Sequence, residues 1–346
     1  MKTLHQSPTD PAFVQNPYPF YESARATGPF FHWADYGLTC TPNAAACNAI
    51  FRDRRFGREV PAELAPQIPS HLAPFYAVEA HSMLELEPPR HTRLRSLVLR
   101  AFTSRRIAAL QPEIETLTHQ LIDALPDGPF DLLKHFGQKL PVIIIARLLG
   151  VPEAMSDDLL RWSNAMVGMY MAGRTRATED RAVAATEAFV AFMRGYVEAR
   201  RADPRDDLIT HLIAAEEAGE KLTTDELITT CILLLNAGHE ATVHTIGNGV
   251  KTLLETGTSI TAANAETCTE EIFRFDPALH MFTRWAYEDI EVMGHTFHRG
   301  DQVALLLAAA NRDPGLWDDP DQFRPTRPVR ANVTFGAGLH FCVGAP

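Results

Sequence analysis

The chain has 346 residues, of which 46% are hydrophobic and 22% charged, and its net charge is −11. This composition suits a globular protein with a sizeable core, and the acidic balance argues against general nucleic-acid binding. The longest weakly polar run, residues 227–238, is too short to span a membrane, and the N-terminus has no apolar signal segment, so the reducing cytoplasm is the expected compartment.

Periodicity and capping signals predict a chain built mainly of helices, with small β-sheets at its margins. In chain order, the predicted helices cover residues 17–26, 44–52, 91–102, 112–125, 141–150, 178–200, 224–255 and 267–275. The predicted strands form a hairpin in residues 29–41 and a further group in residues 290–307. A capping box, Thr223-Thr-Asp-Glu226, opens the longest helix, and Pro112 suits the first position of another. Residues 57–90 hold six prolines and are predicted to form either a lid or a surface loop.

The most specific pattern is the segment that we call the cysteine loop, Phe335-Gly-Ala-Gly338-Leu-His340-Phe-Cys342-Val-Gly344. Its first two glycines permit backbone conformations and close approaches that other residues cannot make. Amide donors in such a loop favour a thiolate, which is the form of cysteine that binds metals. A buried free cysteine in a glycine-rich turn is the commoner alternative. The combination of Phe, two Gly, His, Cys and Gly at this spacing predicts a thiolate ligand instead, and the other cysteines lack the CxxC spacing of a zinc site.

The cysteine loop resembles the haem-binding signature FGxGxHxCxG of the cytochrome P450 superfamily, particularly of its soluble bacterial members, at every fixed position. The resemblance covers about residues 16–346. It implies a mainly α cytochrome P450 fold, a single triangular haem domain over residues 1–346 with small antiparallel β-sheets. It also implies haem b as the cofactor, with Cys342 as the axial ligand of the iron and His340 hydrogen-bonded to a haem propionate. A thiolate ligand pushes electron density to the iron and promotes cleavage of the O–O bond.

A second motif, Glu271-Ile-Phe-Arg274, matches the ExxR helix motif of the same family. Its i, i+3 spacing puts both side chains on one helix face, where they can pair. Alone, such pairs are usually solvated and contribute little. In order with the cysteine loop, the resemblance implies a structural ion-pair core that also includes Arg327.

Three further cations are implied to bind the haem propionates. His91 and Arg95 lie at i and i+4 on one predicted helix face, where two cationic groups suit carboxylates. The resemblance assigns the same role to Arg284, for which a strand-surface charge is the alternative.

A run of arginines without an acid occupies residues 90–106, and it consists of Arg90, Arg93, Arg95, Arg100, Arg105 and Arg106. Against the net charge of −11 this is a strong local asymmetry. A solvated helix face is one interpretation. The other is a docking patch for an acidic electron donor, which would be attracted electrostatically. The resemblance implies that this helix lies on the proximal side of the haem, where redox partners dock.

The longest predicted helix carries the segment that we call the oxygen segment, Ala237-Gly-His-Glu240-Ala241-Thr242. It resembles the family's oxygen-activating segment, in which an acid and an alcohol relay protons to bound dioxygen. Glu240 supplies the acid, but Ala241 holds the usual alcohol position and Thr242 follows one residue later, about 100° further around the helix. We therefore expect water or a substrate hydroxyl to replace the alcohol, or a reaction that is uncoupled or driven by peroxide.

The implied activity is insertion of one oxygen atom of dioxygen into a C–H bond or alkene of an apolar small organic molecule. A separate ferredoxin and its NAD(P)H-dependent reductase are the implied electron donors, since the chain has no flavin or iron–sulfur segment and no GxGxxG. Family members continue beyond the cysteine loop with a helix and a sheet, so we expect a truncated haem domain.

Two alternatives stay open. His239-Glu240-Ala-Thr-Val-His244 nearly spells the zinc motif HExxH, but its second histidine is at i+5 instead of i+4, about 140° away around the helix. The other alternative is a non-catalytic or inactive truncated haem-binding protein, which Ala241 favours.

Overall fold

The computed structural model describes residues 1–101, 104–217 and 222–345. The helices are α1 (Pro11–Gln15), α2 (Tyr18–Arg25), α3 (Ala44–Arg52), α4 (Ala73–Glu79), α5 (Arg90–Ala101), α6 (Ser104–Asp123), α7 (Lys139–Leu149), α8 (Ser156–Val167), α9 (Arg176–Ala202), α10 (Leu208–Glu217), α11 (Thr224–Thr256), α12 (Ala265–Phe275) and α13 (Leu307–Ala310). The strands are β1 (Lys2–Leu4), β2 (Phe31–Trp33), β3 (Leu38–Thr41), β4 (Phe56–Gly57), β5 (Met281–Ala286), β6 (Ile290–Val292), β7 (His295–Phe297) and β8 (Gln302–Leu306). Helix predominates, which confirms the predicted mainly α class.

The chain divides into two compact units. The first consists of Met1–Ala65 and Thr245–Pro346, and it contains both sheets and the cysteine loop. The second consists of Pro66–His244 and is helical. That residues 1–346 form one haem domain stays a prediction. None of the helices in the described ranges is long and apolar enough to cross a membrane.

Local sequence signals position most of the predicted helices correctly. Asn43 caps α3, because its side chain accepts a hydrogen bond from the Ala46 N–H at 3.0 Å. Thr223 and Glu226 form the predicted capping box of α11, in which each side chain accepts a hydrogen bond from the other's backbone N–H at 3.2 and 2.9 Å. From this start α11 runs for 33 residues, a length of about 50 Å.

The prediction for Pro112 is wrong. α6 begins at Ser104, so Pro112 lies inside the helix instead of at its first position. An interior proline removes one backbone donor and crowds the preceding turn, at a cost of about 3 kcal/mol. Packing offsets that cost, since α6 lies along α7 and buries Leu117. Phe102, the last residue of the helix predicted over residues 91–102, falls outside the described residues.

The proline-rich connection between β4 and α5 is partly helical, which its sequence did not predict. It contains α4, which packs against α9 and buries Phe75. Just before α4, His71 pairs with Glu179 of α9 at 2.8 Å between Nε2 and Oε2. The Tyr170 hydroxyl donates a hydrogen bond to the Glu79 carboxylate at 2.7 Å. Residues 66–90 are therefore attached to the helices of their own unit, and the lid interpretation stays a prediction.

The larger sheet has six strands in the order β1-β2-β3-β8-β5-β4, and β6 and β7 form a separate antiparallel pair. The pairs β1–β2 and β3–β8 are parallel, while β2–β3, β8–β5 and β5–β4 are antiparallel. The larger sheet is thus mixed, so the prediction of antiparallel sheets holds only in part. A parallel pair needs a long crossover connection, and here most of the chain lies between β3 and β8.

Alternate side chains of the larger sheet face two buried clusters. Leu306 packs with Phe31 and Trp33 on one side. Leu305, its neighbour in β8, belongs to the other cluster, which includes the stretch that enters the cysteine loop through Ala337. The cysteine loop is therefore anchored in the core of its unit.

Candidate functional site

The conformation of the cysteine loop depends on its two predicted glycines. Gly336 and Gly338 both have φ of +68°, a left-handed conformation that favours glycine. A Cβ on Gly338 would lie 2.2 Å from the carbonyl oxygen of Phe51, at the end of α3, whereas the nearest heavy atom to a Cβ on Gly336 would be 3.9 Å away. Gly336 is thus required for conformation alone, and Gly338 for conformation and close approach.

Backbone hydrogen bonds close the turn around Cys342. The Phe341 N–H donates to the Gly338 carbonyl at 3.2 Å, and the Cys342 N–H donates to the Phe335 carbonyl at 3.1 Å. These two amides bond to carbonyl oxygens, so they are not the donors that the sequence predicts for a sulfur. The bond to Phe335 fixes where the Cys342 side chain leaves the loop.

A set of polar contacts holds the stretch before the loop. Asn311, which follows α13, accepts a hydrogen bond from the Val333 N–H at 2.9 Å and donates one to the Thr334 hydroxyl oxygen at 2.7 Å. The Thr334 hydroxyl donates in turn to the carbonyl of Phe273 in α12, at 2.6 Å. Phe273 and Phe335 also form an edge-to-face ring pair, with centroids 5.0 Å apart. The loop is therefore tied to α12, the helix that carries the ExxR motif.

Cys342 differs from the other cysteines in its exposure. Its side chain is exposed, whereas Cys40, Cys47, Cys231 and Cys268 are buried. Burial raises the pKa of each buried thiol, to about 12 for Cys40 and Cys231. These four thiols stay protonated, and a protonated thiol is not a metal ligand. The donor chemistry therefore fits a thiolate-bound haem at Cys342.

The predicted ion-pair core of the ExxR motif is confirmed. Arg274 and Glu271 form a bidentate pair at 2.8 and 2.7 Å, and both side chains are at most 5% exposed. Arg274 also donates to the carbonyls of Asn311 and Pro320, at 3.1 and 2.8 Å. Arg327 joins the same carboxylate at 3.4 Å. A buried pair with its remaining donors satisfied fixes one geometry, and here it connects α12 to the meander (residues 318–328) before the cysteine loop.

Arg284 is buried on β5 with an exposed fraction of 3%, so the alternative of a strand-surface charge is wrong. Its guanidinium donates to the carbonyl of Thr283 at 2.8 Å and lies over the ring of Phe51, 4.9 Å from the centroid. Phe51 also meets Gly338, as described above. The structure therefore brings Arg284 and the cysteine loop, with its half-buried His340, to the same end of α3.

The predicted propionate ligands of the second unit both lie on α5. His91 is buried, with 1% of its side chain exposed, and Arg95 is half-buried one turn later. In the arginine run, Arg93 pairs with Glu226 of the capping box, and Arg90 donates to the carbonyl of Ala80 at 2.7 Å. Two members of this run, Arg90 and Arg93, therefore form contacts that stabilise the helical unit. The side chains of Arg105 and Arg106 lie outside the part of the chain that is described.

The oxygen segment occupies the middle of α11. The Thr242 side chain is exposed, and its hydroxyl donates to the carbonyl of Gly238 at 2.9 Å, one turn back. Ala241 is half-buried and has no hydroxyl. Neither residue thus offers a free alcohol donor within the segment.

Glu240 lies beside two histidines of the same helix, and it forms a hydrogen bond with one of them, His244. His244 Nε2 lies 3.2 Å from Glu240 Oε1, and His239 Nδ1 lies 3.5 Å from Glu240 Oε2. The hydrogen bond with His244 lowers the pKa of Glu240 and raises that of His244. Burial lowers the pKa of His239. At neutral pH Glu240 is a carboxylate and His239 is a neutral imidazole.

The zinc alternative gains no ligand set. His239 and His244 approach opposite oxygens of Glu240 instead of a common point. Across the described residues, no three His, Cys, Asp or Glu side chains are grouped so that they could hold a metal ion.

Sequence reasoning did not find the roles of Asn311 and Phe51, whose contacts join residues far apart in the chain. The pairing of Glu240 with His244 was not predicted either, although the sequence contains a pattern that indicates it. The two residues are four apart on a helix, a spacing that brings side chains together.

Several known proteins align with nearly the whole length of this chain. The family model described as Cytochrome P450 matches residues 264–346. Vitamin D(3) 25-hydroxylase of Pseudonocardia autotrophica is 36% identical over 352 residues, which cover 96% of this chain and 83% of that protein. Cytochrome P450 monooxygenase PikC of Streptomyces venezuelae is 34% identical, over 96% of this chain and 80% of its own. The crystal structure of P450BioI in complex with hexadec-9Z-enoic acid ligated acyl carrier protein aligns with a TM-score of 0.90 and 32% identity, over 96% of this chain and 88% of the other.

Proposed function

Since this chain belongs to the cytochrome P450 family and is a haem b monooxygenase, we propose that it inserts one oxygen atom of dioxygen into an apolar small organic molecule with electrons from a ferredoxin. The observation that carries the proposal is the exposed Cys342 on a loop that two left-handed glycines shape and that Asn311 holds. Together these features hold an exposed thiol in a fixed position on a loop that is anchored in the core.

Cys342 is proposed as the axial ligand, and His91, Arg95, Arg284 and His340 as the residues that bind the propionates. Haem b held by a thiolate supplies the activation and cleavage of dioxygen. Arg284 suits its role because its guanidinium is buried and already oriented by the Thr283 carbonyl and the Phe51 ring. A guanidinium fixed in this way loses little conformational freedom when it binds a carboxylate.

The reaction balances as R–H, O₂, NAD(P)H and one proton giving R–OH, water and NAD(P)⁺. A ferredoxin and its NAD(P)H-dependent reductase are the proposed source of the two electrons. The arginine run on α5 is proposed as their docking patch. Its exposed members Arg90 and Arg100, on a chain whose net charge is −11, offer a local positive surface to an acidic partner.

The substrate is proposed to be apolar and to provide, itself or through a bound water, the hydroxyl that the oxygen segment lacks. Support comes from Ala241 and from the Thr242 hydroxyl, which is engaged by the Gly238 carbonyl. The name of one relative, Vitamin D(3) 25-hydroxylase, describes hydroxylation of a small organic molecule. The proposed substrate contacts are the proline-rich loop from Ala62 to Leu84, Leu234 and Ala237 of α11, and Leu279 to Phe282.

Ala241, which has no hydroxyl, also favours one second function, a haem-binding protein without turnover. The two functions differ in coupling, which is the amount of product formed per NAD(P)H consumed. A haem-binding protein without turnover forms no product. With a substrate that carries a hydroxyl, the monooxygenase is expected to form product with little hydrogen peroxide released. With an apolar substrate that lacks a hydroxyl, we expect peroxide instead, and tight coupling there would contradict the substrate-hydroxyl proposal.

The first test is the absorption spectrum of the dithionite-reduced protein under carbon monoxide. We expect a red-shifted Soret band that disappears in Cys342→Ala and persists in the matched control Cys231→Ala, which alters a buried cysteine. Absence of the haem band, or a band typical of a neutral axial ligand, would contradict the proposal. Turnover with ferredoxin, its reductase and NAD(P)H then separates the enzyme from the non-catalytic protein.

A further inference from the structure

The histidine one turn after the acid of the oxygen segment connects that acid to solvent. His244 Nε2 and Glu240 Oε1 are 3.2 Å apart, within hydrogen-bond reach. The exposed fraction of the side chain rises from 1% for His239 to 30% for Glu240 and 52% for His244. The three side chains therefore form a series of increasing exposure, in which a hydrogen bond joins Glu240 to His244, the most exposed of them.

The pKa shifts of Glu240 and His244 favour a proton on His244, the more exposed of the two side chains. The Glu240 hydrogen bond raises the pKa of His244, and the same contact lowers the pKa of Glu240. Among the described residues, the charged group that raises the pKa of His244 is the Glu240 carboxylate, while His244 itself lowers the pKa of His239. The raised pKa favours the protonated His244 ring, whose Nε2 lies beside a carboxylate that can accept a proton.

We propose that His244 is the proton inlet of the oxygen segment, where its Nε2 passes a proton to Glu240 Oε1 and regains one from solvent water. The proposal rests on the proposed function, because it assumes that Glu240 delivers protons to dioxygen. The step balances: the imidazolium becomes imidazole, the carboxylate becomes a carboxylic acid, and a water proton restores the imidazolium. No electron is transferred in it.

The simpler interpretation is an exposed i, i+4 pair that supports the helix, and such pairs contribute little to stability. Three features favour the inlet instead. Glu240 is bonded to a histidine that is 52% exposed, histidine is the side chain whose ordinary pKa lies nearest neutral pH, and the Thr242 hydroxyl of the segment is engaged by the Gly238 carbonyl. His211, which lies 3.3 Å from Asp206 and is 47% exposed, offers a matched histidine–carboxylate pair outside the segment.

The test compares His244→Gln with the control His211→Gln as haem-loaded enzymes between about pH 6 and pH 9, the range in which a histidine titrates. In the wild type, product formation is expected to fall as pH rises through the pKa of His244, since the imidazolium is the donor. His244→Gln is expected to lose about tenfold in turnover at the low end, less than the hundredfold of a group that touches the reacting atoms, and to lose this pH dependence. The control is expected to keep both.

Two further readouts separate a proton inlet from a structural role. In the ferrous–CO protein, the titration midpoint of the His244 ring proton, followed by NMR, is expected to fall in Glu240→Gln. The double variant Glu240→Gln/His244→Gln is expected to turn over no more slowly than Glu240→Gln, because His244 acts through Glu240. Additive losses in the double variant, or a wild-type pH profile in His244→Gln, would overturn the inlet. If the haem-thiolate spectrum itself is absent, the proposed function fails and not merely this step.

Discussion

Gly336 and Gly338 form a natural matched pair for testing how the cysteine loop is built. Both have φ of +68°, so alanine at either position should carry the same conformational strain, about 1–2 kcal/mol. Only at Gly338 does the new Cβ meet backbone, the Phe51 carbonyl oxygen at 2.2 Å. A carbon and an oxygen that are not bonded need about 3.3 Å, so either the loop or the end of α3 must shift by about 1 Å.

Gly338→Ala is therefore expected to destabilise the protein by at least about 3 kcal/mol, against about 1–2 kcal/mol for Gly336→Ala. For a chain of this size, 1 kcal/mol corresponds to roughly 2 °C in Tm. Scanning calorimetry gives the Tm, and the reduced CO spectrum gives the haem bound per mole of protein. We expect Gly336→Ala to retain most of its haem and Gly338→Ala to lose most of it. Equal effects of the two substitutions would refute the close approach to Phe51.

Three more predictions concern the contacts around the loop and the oxygen segment. Arg274→Leu leaves the buried Glu271 carboxylate without its bidentate partner, so urea unfolding should show a loss of about 3–5 kcal/mol; a loss below about 1 kcal/mol would mean that the pair is not buried in solution. Asn311→Ala leaves the buried Val333 N–H without its acceptor and should cost about 1–3 kcal/mol and reduce haem retention, whereas unchanged haem content would contradict its positioning role. The Glu240–His244 pair should stabilise the fold by no more than about 0.5 kcal/mol because it is partly exposed. The raised pKa of His244 gives a stabilisation that is complete below the ordinary value of 6.5 and is lost as the pH rises through the raised pKa. The lowered pKa of Glu240 gives a stabilisation that is present above the ordinary value of 4.5 and is lost as the pH falls through the lowered pKa. The difference in unfolding free energy between wild type and His244→Gln should thus be largest near about pH 5.5 and absent near about pH 9, and a larger difference at the alkaline end would show that the sign is wrong.

The parts of this structure that the sequence predicts are those that depend on spacing within one turn or one loop. The capping box of Thr223 and Glu226, the pairing of Glu271 with Arg274 and the glycine positions of the cysteine loop all have this property. Each involves residues fewer than ten apart, so geometry along the chain nearly determines the contact.

The parts that it does not predict depend on distant packing. Nothing local shows that Asn311 holds the cysteine loop, that Phe51 lies between Arg284 and Gly338, or that β3 pairs in parallel with β8. Pro112 illustrates the opposite case, where a correct local preference for a helix start is outweighed by the packing of α6 along α7. Burial decides such cases, and a single sequence does not specify what buries a given residue.

The contacts of Phe51 determine the order in which α3 and the cysteine loop can fold. Its carbonyl and ring receive Gly338 and Arg284, yet the loop follows it by about 290 residues, so this contact contributes strongly to a high contact order. On the ribosome, α3 is made long before the loop, and the loop can take its final turn only against a surface that is already in place. Cofactor capture at Cys342 therefore follows the synthesis of both α3 and the loop. A cell that produces this protein faster than it supplies haem would accumulate chains whose cysteine loop has formed around an exposed thiol, the form most susceptible to oxidation.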